Sequence, residues 1–132
     1  MNNLLSMLFS ANGRIRRLHF WLSRLGVSIG WVLSLIIVAL PMMAFKQPPA
    51  ALVTIFCLYF LVSIGVVVWI EINLLIKRWH DRDKPGVWCL MIFVPFIGWL
   101  WVLIECGFMD GTQGPNQFGP SPKGIGAPAA VF

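Results

Sequence analysis

The sequence predicts an all-α integral membrane protein with three transmembrane helices and an N-terminal amphipathic helix at the membrane interface. Composition is the first reason: 58% of the 132 residues are hydrophobic and 11% are charged, whereas soluble domains carry about 25% charged residues. The second reason is that the lysines and arginines lie almost wholly in short connectors between apolar runs. This placement indicates membrane orientation and contact with anionic lipid, and we expect no binding to nucleic acid.

The N-terminal segment, residues 3–11, carries apolar side chains at helical spacing but is too short to cross a bilayer. We therefore expect it to lie in the interface. The first predicted span covers residues 20–45. In it, Gly26, Gly30 and Ser34 recur at every fourth position, a spacing typical of closely packed membrane helices. Chance placement of small residues explains this stripe equally well.

The second predicted span covers residues 51–76 and the third covers residues 86–109. Pro95 and Gly98 interrupt the third run, which is either one kinked span or a re-entrant hairpin that returns to its starting side. We favour the kinked span, because the run is only long enough to cross once. All three spans belong to one predicted membrane domain over residues 1–123, followed by a disordered tail over residues 124–132.

The distribution of positive charge predicts the orientation. With three spans, eight lysines and arginines share the side of the N-terminus and the central charged segment, against two on the other side. A re-entrant third run makes the count nine against one. Either count places the N-terminus in the cytoplasm, while the side of the C-terminus stays open.

Three short motifs follow one another along the chain. They are Gly13-Arg14-x-x-Arg17-x-x-Phe20-Trp21, Lys77-Arg78-Trp79-His80-Asp81 and Gly111-Thr112-x-Gly114-x-Asn116-x-Phe118-Gly119-Pro120-x-Pro122. Together they resemble the motifs of domain-of-unknown-function family 805, a set of small bacterial inner-membrane proteins. The resemblance covers roughly residues 10–123. It implies a multi-pass protein of the bacterial inner membrane and supplies no activity.

Charged residues near the cytoplasmic side are the main candidates for a site. We predict a face that binds lipid phosphates, formed by four arginines: Arg14, Arg17, Arg78 and Arg82. Arg24 and Glu71 each lie inside a predicted span at similar depth, so they could form an ion pair between the first two spans. Alternatively, Arg24 extends to the lipid headgroups and Glu71 is protonated or hydrated.

His80 and Asp81 form a cytoplasmic cluster that allows two interpretations. Histidine is a suitable general base near neutral pH, but no serine or cysteine nucleophile at a defined spacing accompanies it. We favour a structural role, in which the two residues cap the second span and hold the charged loop together. The dispersed Cys57, Cys89 and Cys106 indicate no zinc site, and we expect no metal and no cofactor.

These observations favour a non-enzymatic membrane protein that acts through helix packing and contact with anionic lipid or a membrane protein partner, including a second copy of the chain. One alternative is a small oligomeric transporter or channel subunit, in which ion flux would depend on Glu71. The other is an enzyme that acts on lipid headgroups with His80 and Asp81, and whose turnover would be lost in a folded His80→Ala variant.

Overall fold

The structure is a computed structural model that describes residues 4–126. Over this range the chain is helical, and its only bridge of β type joins Asn116 and Gly119. The α-helices are α1 (Leu4–Phe9), α2 (Arg17–Ala39), α3 (Ala50–Asp81) and α4 (Ile97–Val102). Short 3₁₀ segments span Leu40–Ala44 and Gly86–Phe93, and a π-helical segment spans Leu103–Phe108. The predicted disordered tail falls mostly outside the described residues.

Two helical segments in the described range, Arg17–Ala44 and Ala50–Asp81, are long and apolar enough to cross a membrane. They correspond to the first two predicted spans. Their apolar side chains are largely exposed, as on Ile37 and Leu61, each 65% accessible, which suits helices surrounded by lipid. The six-residue α1 forms where the amphipathic segment was expected, while its position at an interface stays a prediction.

Helix α3 is longer than a bilayer requires. Its 32 residues extend for about 48 Å at 1.5 Å per residue, whereas a hydrocarbon core is about 30 Å thick. All of its buried residues lie from Ile70 onwards. The second motif therefore belongs to the last turns of a helix, where the sequence had suggested a loop, and it projects beyond the apolar part of α3.

The third apolar run forms a hairpin in the structure, and the favoured expectation of one kinked span is not confirmed. Its first arm, Gly86–Phe93, leads through a tight turn into α4, and the second arm returns to the end of α3. Gly98 permits this close turn, because a Cβ there would lie 1.8 Å from the Met91 carbonyl oxygen. Neither arm is long enough to cross a bilayer alone, since eight 3₁₀ residues rise only about 16 Å.

The hydrophobic core lies at one end of the molecule, where α2, α3 and the returning arm of the hairpin meet. Its largest fully buried side chains are Trp79, Phe20, Leu74 and Cys106. The indole Nε1 of Trp21 donates a hydrogen bond to the Gly107 carbonyl at 3.1 Å, which fixes the returning arm against α2. This core supports the polar residues of all three motifs.

Candidate functional site

A buried carboxylate between two arginines forms the centre of the site. Arg14 Nη2 lies 3.0 Å from Asp81 Oδ1, and Arg78 Nη1 pairs with Asp81 Oδ2 one helical turn away. The side chains of Arg14, Arg78 and Asp81 are 1%, 0% and 5% exposed. Buried charges are tolerated when they are paired and hydrogen-bonded, as these are. With Thr112 and Asn116, described next, these residues form the three-motif cluster.

The tail motif wraps around the guanidinium of Arg14. Arg14 donates hydrogen bonds to the carbonyl oxygens of Thr112 at 2.7 Å, Gly114 at 2.8 Å and Gly119 at 3.3 Å. Gly114 and Gly119 have φ angles of +80° and +129°, which glycine adopts without strain. The glycines of the tail motif thus let the backbone turn its carbonyl groups toward one cation.

The end of α3 is also bound directly to the tail. Thr112 donates its backbone N–H to the Asp81 carbonyl at 2.8 Å, and Asn116 Nδ2 donates to the His80 carbonyl at 2.8 Å. These carbonyls belong to the last turn of a helix, where intrahelical donors are missing. Gly111 packs so closely on Asp81 that a Cβ there would lie 1.9 Å from Oδ2. The tail therefore acts as the C-terminal cap of α3.

Arg78 connects the same carboxylate to the returning arm of the hairpin. Its Nε donates to the Cys106 carbonyl at 2.7 Å, and its Nη2 donates to the Met109 carbonyl. Both acceptors lie at the C-terminal end of that arm, where a cation is favoured by the helix dipole. One arginine thus joins two elements that lie far apart in sequence.

His80 lies at the rim of the three-motif cluster. Its ring stacks on Phe118, with a centroid distance of 3.9 Å and an interplanar angle of 4°. Its Nδ1 is 3.2 Å from the Gly13 carbonyl oxygen. His80 and Asp81 contact different partners, and each is engaged with residues of the first and third motifs. Sequence reasoning missed the roles of Thr112, Asn116 and Phe118, for which the tail motif was the available signal.

The four arginines expected to form one anion-binding face are not equivalent. The side chains of Arg14 and Arg78 are buried and paired with Asp81, so they are not accessible to lipid phosphates. Arg17 is 43% exposed, donates to the Phe108 carbonyl at 2.7 Å and pairs with Asp110 at 2.9 Å. Arg82 is 19% exposed, lies 3.7 Å from Glu105 and donates to the Asp110 carbonyl. Of the four arginines, only Arg17 and Arg82 have side chains that are partly accessible, and the anion-binding face itself stays a prediction.

Two further ion pairs link the helices. Arg24 Nε lies 2.6 Å from Glu71 Oε2, so the structure places the predicted intramembrane pair in contact between α2 and α3. Lys84 Nζ lies 2.8 Å from both carboxylate oxygens of Glu105, a residue only 8% exposed. Indole rings surround this ammonium group, with centroids 5.1 to 5.9 Å away: Trp79, Trp88 and Trp101. The sequence did not predict that these tryptophans lie together, because the hairpin is what brings Trp101 close to Trp79 and Trp88.

Within residues 4–126, no three histidine, cysteine, aspartate or glutamate side chains come close enough to hold a metal ion. The cluster chemistry is instead that of arginine, carboxylate and backbone carbonyl groups. Such an arrangement joins segments of the chain, because each guanidinium nitrogen of Arg14 and Arg78 donates to an acceptor in another segment or to Asp81.

Residues 8–120 match the family described as a protein of unknown function, DUF805. The chain belongs to this family. It is 35% identical over 113 residues to inner membrane protein YhaI of Escherichia coli K12, with 85% of each chain covered. It is 47% identical over 47 residues to inner membrane protein YhaH of the same strain, covering 36% of this chain and 38% of YhaH. No solved structure matches. The family thus includes inner membrane proteins, in agreement with two apolar helices of membrane-spanning length.

Proposed function

We propose that this DUF805 protein is a non-enzymatic component of the bacterial inner membrane that acts through contacts with anionic lipid and with neighbouring membrane helices. One observation carries the proposal: the residues of the three-motif cluster are hydrogen-bonded to one another, and the side chains of Arg14, Arg78 and Asp81 are buried. Asp81, for example, is held by two arginines and is 3% exposed. Groups engaged in this way stabilise a fold, whereas a catalytic group needs access to its substrate.

The proposed topology has two spans, α2 and α3, and a hairpin that enters and leaves the membrane on the cytoplasmic side. The support is that Arg14, Asp81 and the tail are in contact, so the three motifs lie on one side. That side holds nine lysines and arginines, and only Lys46 lies on the other. The tip of the hairpin suits lipid, since Phe93 and Phe96 are 80% and 90% exposed.

Two surfaces support the proposed contacts. At the start of α2, Arg16 and Arg17 are exposed at the level where lipid phosphates lie in this topology. Along α2, a Cβ added to Gly26 or Gly30 would meet nothing within 4 Å, so this face is open to a helix of another protein or of a second copy.

The topology is tested with a reporter fused after Phe132 that is active on only one side of the membrane. We expect a cytoplasmic signal. A periplasmic signal would mean that the third run crosses the membrane, and it would contradict both the hairpin and the contact between the tail and α3.

Lipid contact is tested by native mass spectrometry of lipids retained from nanodiscs that contain phosphatidylglycerol and phosphatidylcholine. We expect the wild type to retain phosphatidylglycerol preferentially, and Arg17→Gln to lower that preference about fivefold, since each surface cation contributes about 1 kcal/mol. Lys46→Gln removes the same charge from the opposite side and serves as the control. Equal retention of the two lipids by the wild type would refute the proposal. Turnover of a headgroup that disappears in a folded His80→Ala variant would support the enzyme instead.

A further inference from the structure

A second polar region lies beside the three-motif cluster and has a different character. It is a cavity of about 580 Å³ between α1, the loop before α2, the end of α3 and the tail. Its polar lining includes Ser10, Asn12, Arg16, His19 and Lys77. Among the described residues no aspartate or glutamate lines this cavity. Over residues 4–126, the cavity walls thus carry cationic and neutral hydrogen-bonding groups and no carboxylate, and Arg14, which also lines the cavity, is paired with Asp81 outside the lining.

Lys77 is the most informative residue of the cavity. It is 5% exposed, and its Nζ donates to the carbonyl oxygens of Ser6 at 2.9 Å and Met7 at 2.7 Å. These two bonds use two of the three N–H donors of the ammonium. No carboxylate of the described residues forms an ion pair with it, whereas both buried arginines of the three-motif cluster share Asp81. A buried cation without a counter-charge is costly, and an anion in the cavity would remove that cost.

The start of α2 adds to the positive potential of the cavity. Arg16 is the N-cap residue, its side chain makes no capping hydrogen bond, and the first turn contains no acidic residue. The first N–H groups of a helix lack intrahelical acceptors, and the helix dipole places partial positive charge there. Arg16 and His19 line the cavity on this side, opposite Lys77 on α3. Helix ends of this kind bind phosphate groups well.

We infer that this cavity is a phosphate-binding site in which Lys77 supplies the buried charge and Arg16 and His19 supply contacts from α2. The phosphate belongs either to a lipid headgroup or to a soluble molecule, because both present the same tetrahedral anion. The inference rests on the proposed cytoplasmic orientation and deepens the proposed lipid contact. The two share Arg16, but Lys77 and His19 belong only to the cavity and Arg17 does not line it.

The experiment uses the full chain in two kinds of nanodisc. In the soluble arm, protein in phosphatidylcholine is titrated with inorganic phosphate at constant ionic strength, and its melting temperature is followed. In the lipid arm, native mass spectrometry measures the last phosphatidylglycerol molecule retained under increasing collision energy. Lys77→Met removes the ammonium and keeps most of its apolar stem, and Lys46→Met is the control. We expect Lys77→Met to weaken binding at least about tenfold, the effect of losing one charge-assisted hydrogen bond.

Each outcome decides the inference. A Lys77-dependent response to inorganic phosphate identifies a site for soluble phosphates, and Lys77-dependent retention of one phosphatidylglycerol identifies a headgroup site. Equal behaviour of the wild type and Lys77→Met in both arms overturns the inference. If Lys77→Met does not fold, Arg16→Gln, a substitution at an exposed residue, replaces it. Its melting temperature without phosphate should equal that of the wild type, and its binding of phosphate must be weaker. Loss of general phosphatidylglycerol preference would refute only the proposed lipid contact, because the soluble arm still tests the cavity.

Discussion

The two parts of α3 differ completely in their surroundings. Before Ile70 the helix has no buried residue, and large side chains such as Leu61 and Val62 are 65% and 69% exposed. From Ile70 to Asp81, buried residues include Asn73, Lys77, Arg78 and Trp79. The first part needs only to be apolar, because lipid accepts any apolar side chain. The second part resembles the interior of a soluble protein, where each polar group requires a particular partner.

This difference predicts where substitutions matter, and Arg78→Ala is the largest expected effect. Its removal leaves Asp81 partly unpaired and the carbonyl groups of Cys106 and Met109 without a donor. Breaking a buried ion pair costs about 3 to 5 kcal/mol of the free energy of unfolding. Leu61→Ala, on the lipid-facing part of the same helix, should change it by less than about 0.5 kcal/mol.

Unfolding of both variants in mixed micelles, by titration with a denaturing detergent, measures these free energies. Arg78→Lys should not restore stability, since an ammonium cannot bind the carboxylate and two carbonyl groups in the same geometry. Similar losses for Arg78→Ala and Leu61→Ala would contradict the distinction between the two parts of α3.

Two glycines provide the next comparison. A Cβ at Gly111 would lie 1.9 Å from Asp81 Oδ2, whereas a Cβ at Gly26 would meet nothing within 4 Å. Gly111→Ala should therefore displace the tail and lower the free energy of unfolding by about 1 to 3 kcal/mol through overpacking. Gly26→Ala should be neutral or stabilising by up to about 1 kcal/mol, because alanine favours the helix. Thermal unfolding in detergent measures both, and a larger loss for Gly26→Ala would indicate that the open face of α2 is occupied.

The apolar part of the molecule was predictable because its only requirement is composition. The spans expected over residues 20–45 and 51–76 correspond to helical segments over Arg17–Ala44 and Ala50–Asp81. Charges inside such spans are costly, and the similar depth of Arg24 and Glu71 made their ion pair one of two predicted arrangements. The hairpin did not follow, because run length is compatible with either one crossing or a turn. What decides it is a close contact between Gly98 and Met91, and run length carries no information about such contacts.

The polar end was less predictable because its contacts are distant in sequence. Arg14 and Asp81 are separated by 67 residues, and Arg14 and Thr112 by 98. Charge counting treats Arg14 and Arg17 alike, although one is buried in the three-motif cluster and the other is exposed. The glycine-rich tail motif contained the relevant signal, since glycines with positive φ turn carbonyl groups toward a cation.

A double-mutant cycle on Arg24 and Glu71 tests an ion pair that lies between the two environments. The side chains are 41% and 25% exposed, so we expect a moderate coupling of about 1 kcal/mol. Arg24→Met and Glu71→Met should each lower the free energy of unfolding by more than half of the loss in the double variant, because each single substitution leaves one charge without its partner. Arg24→Met combined with Asp110→Asn is the control and should be additive. Additivity of Arg24→Met and Glu71→Met would show that the pair contributes nothing.

The smallest effect is expected at Asp110, which is exposed where Asp81 is buried. Its hydrogen bond to Lys123 holds the pKa of the carboxyl below its ordinary value of 3.8, and the charge of Arg17 lowers the pKa further. A carboxyl group whose pKa is lower in the folded state stabilises the protein at pH values above its unfolded-state pKa. This stabilisation is lost as the pH falls through the folded-state pKa. Asp110→Asn should therefore reduce the melting temperature slightly at neutral pH, and the difference should vanish well below pH 3.8. If Asp110→Asn reduced the melting temperature equally at every pH, the effect would come from hydrogen-bond geometry and not from the charge of the carboxylate. Asp81→Asn, measured alongside, should reduce the melting temperature far more at neutral pH, because the buried Asp81 carboxylate is the counter-charge of two arginines.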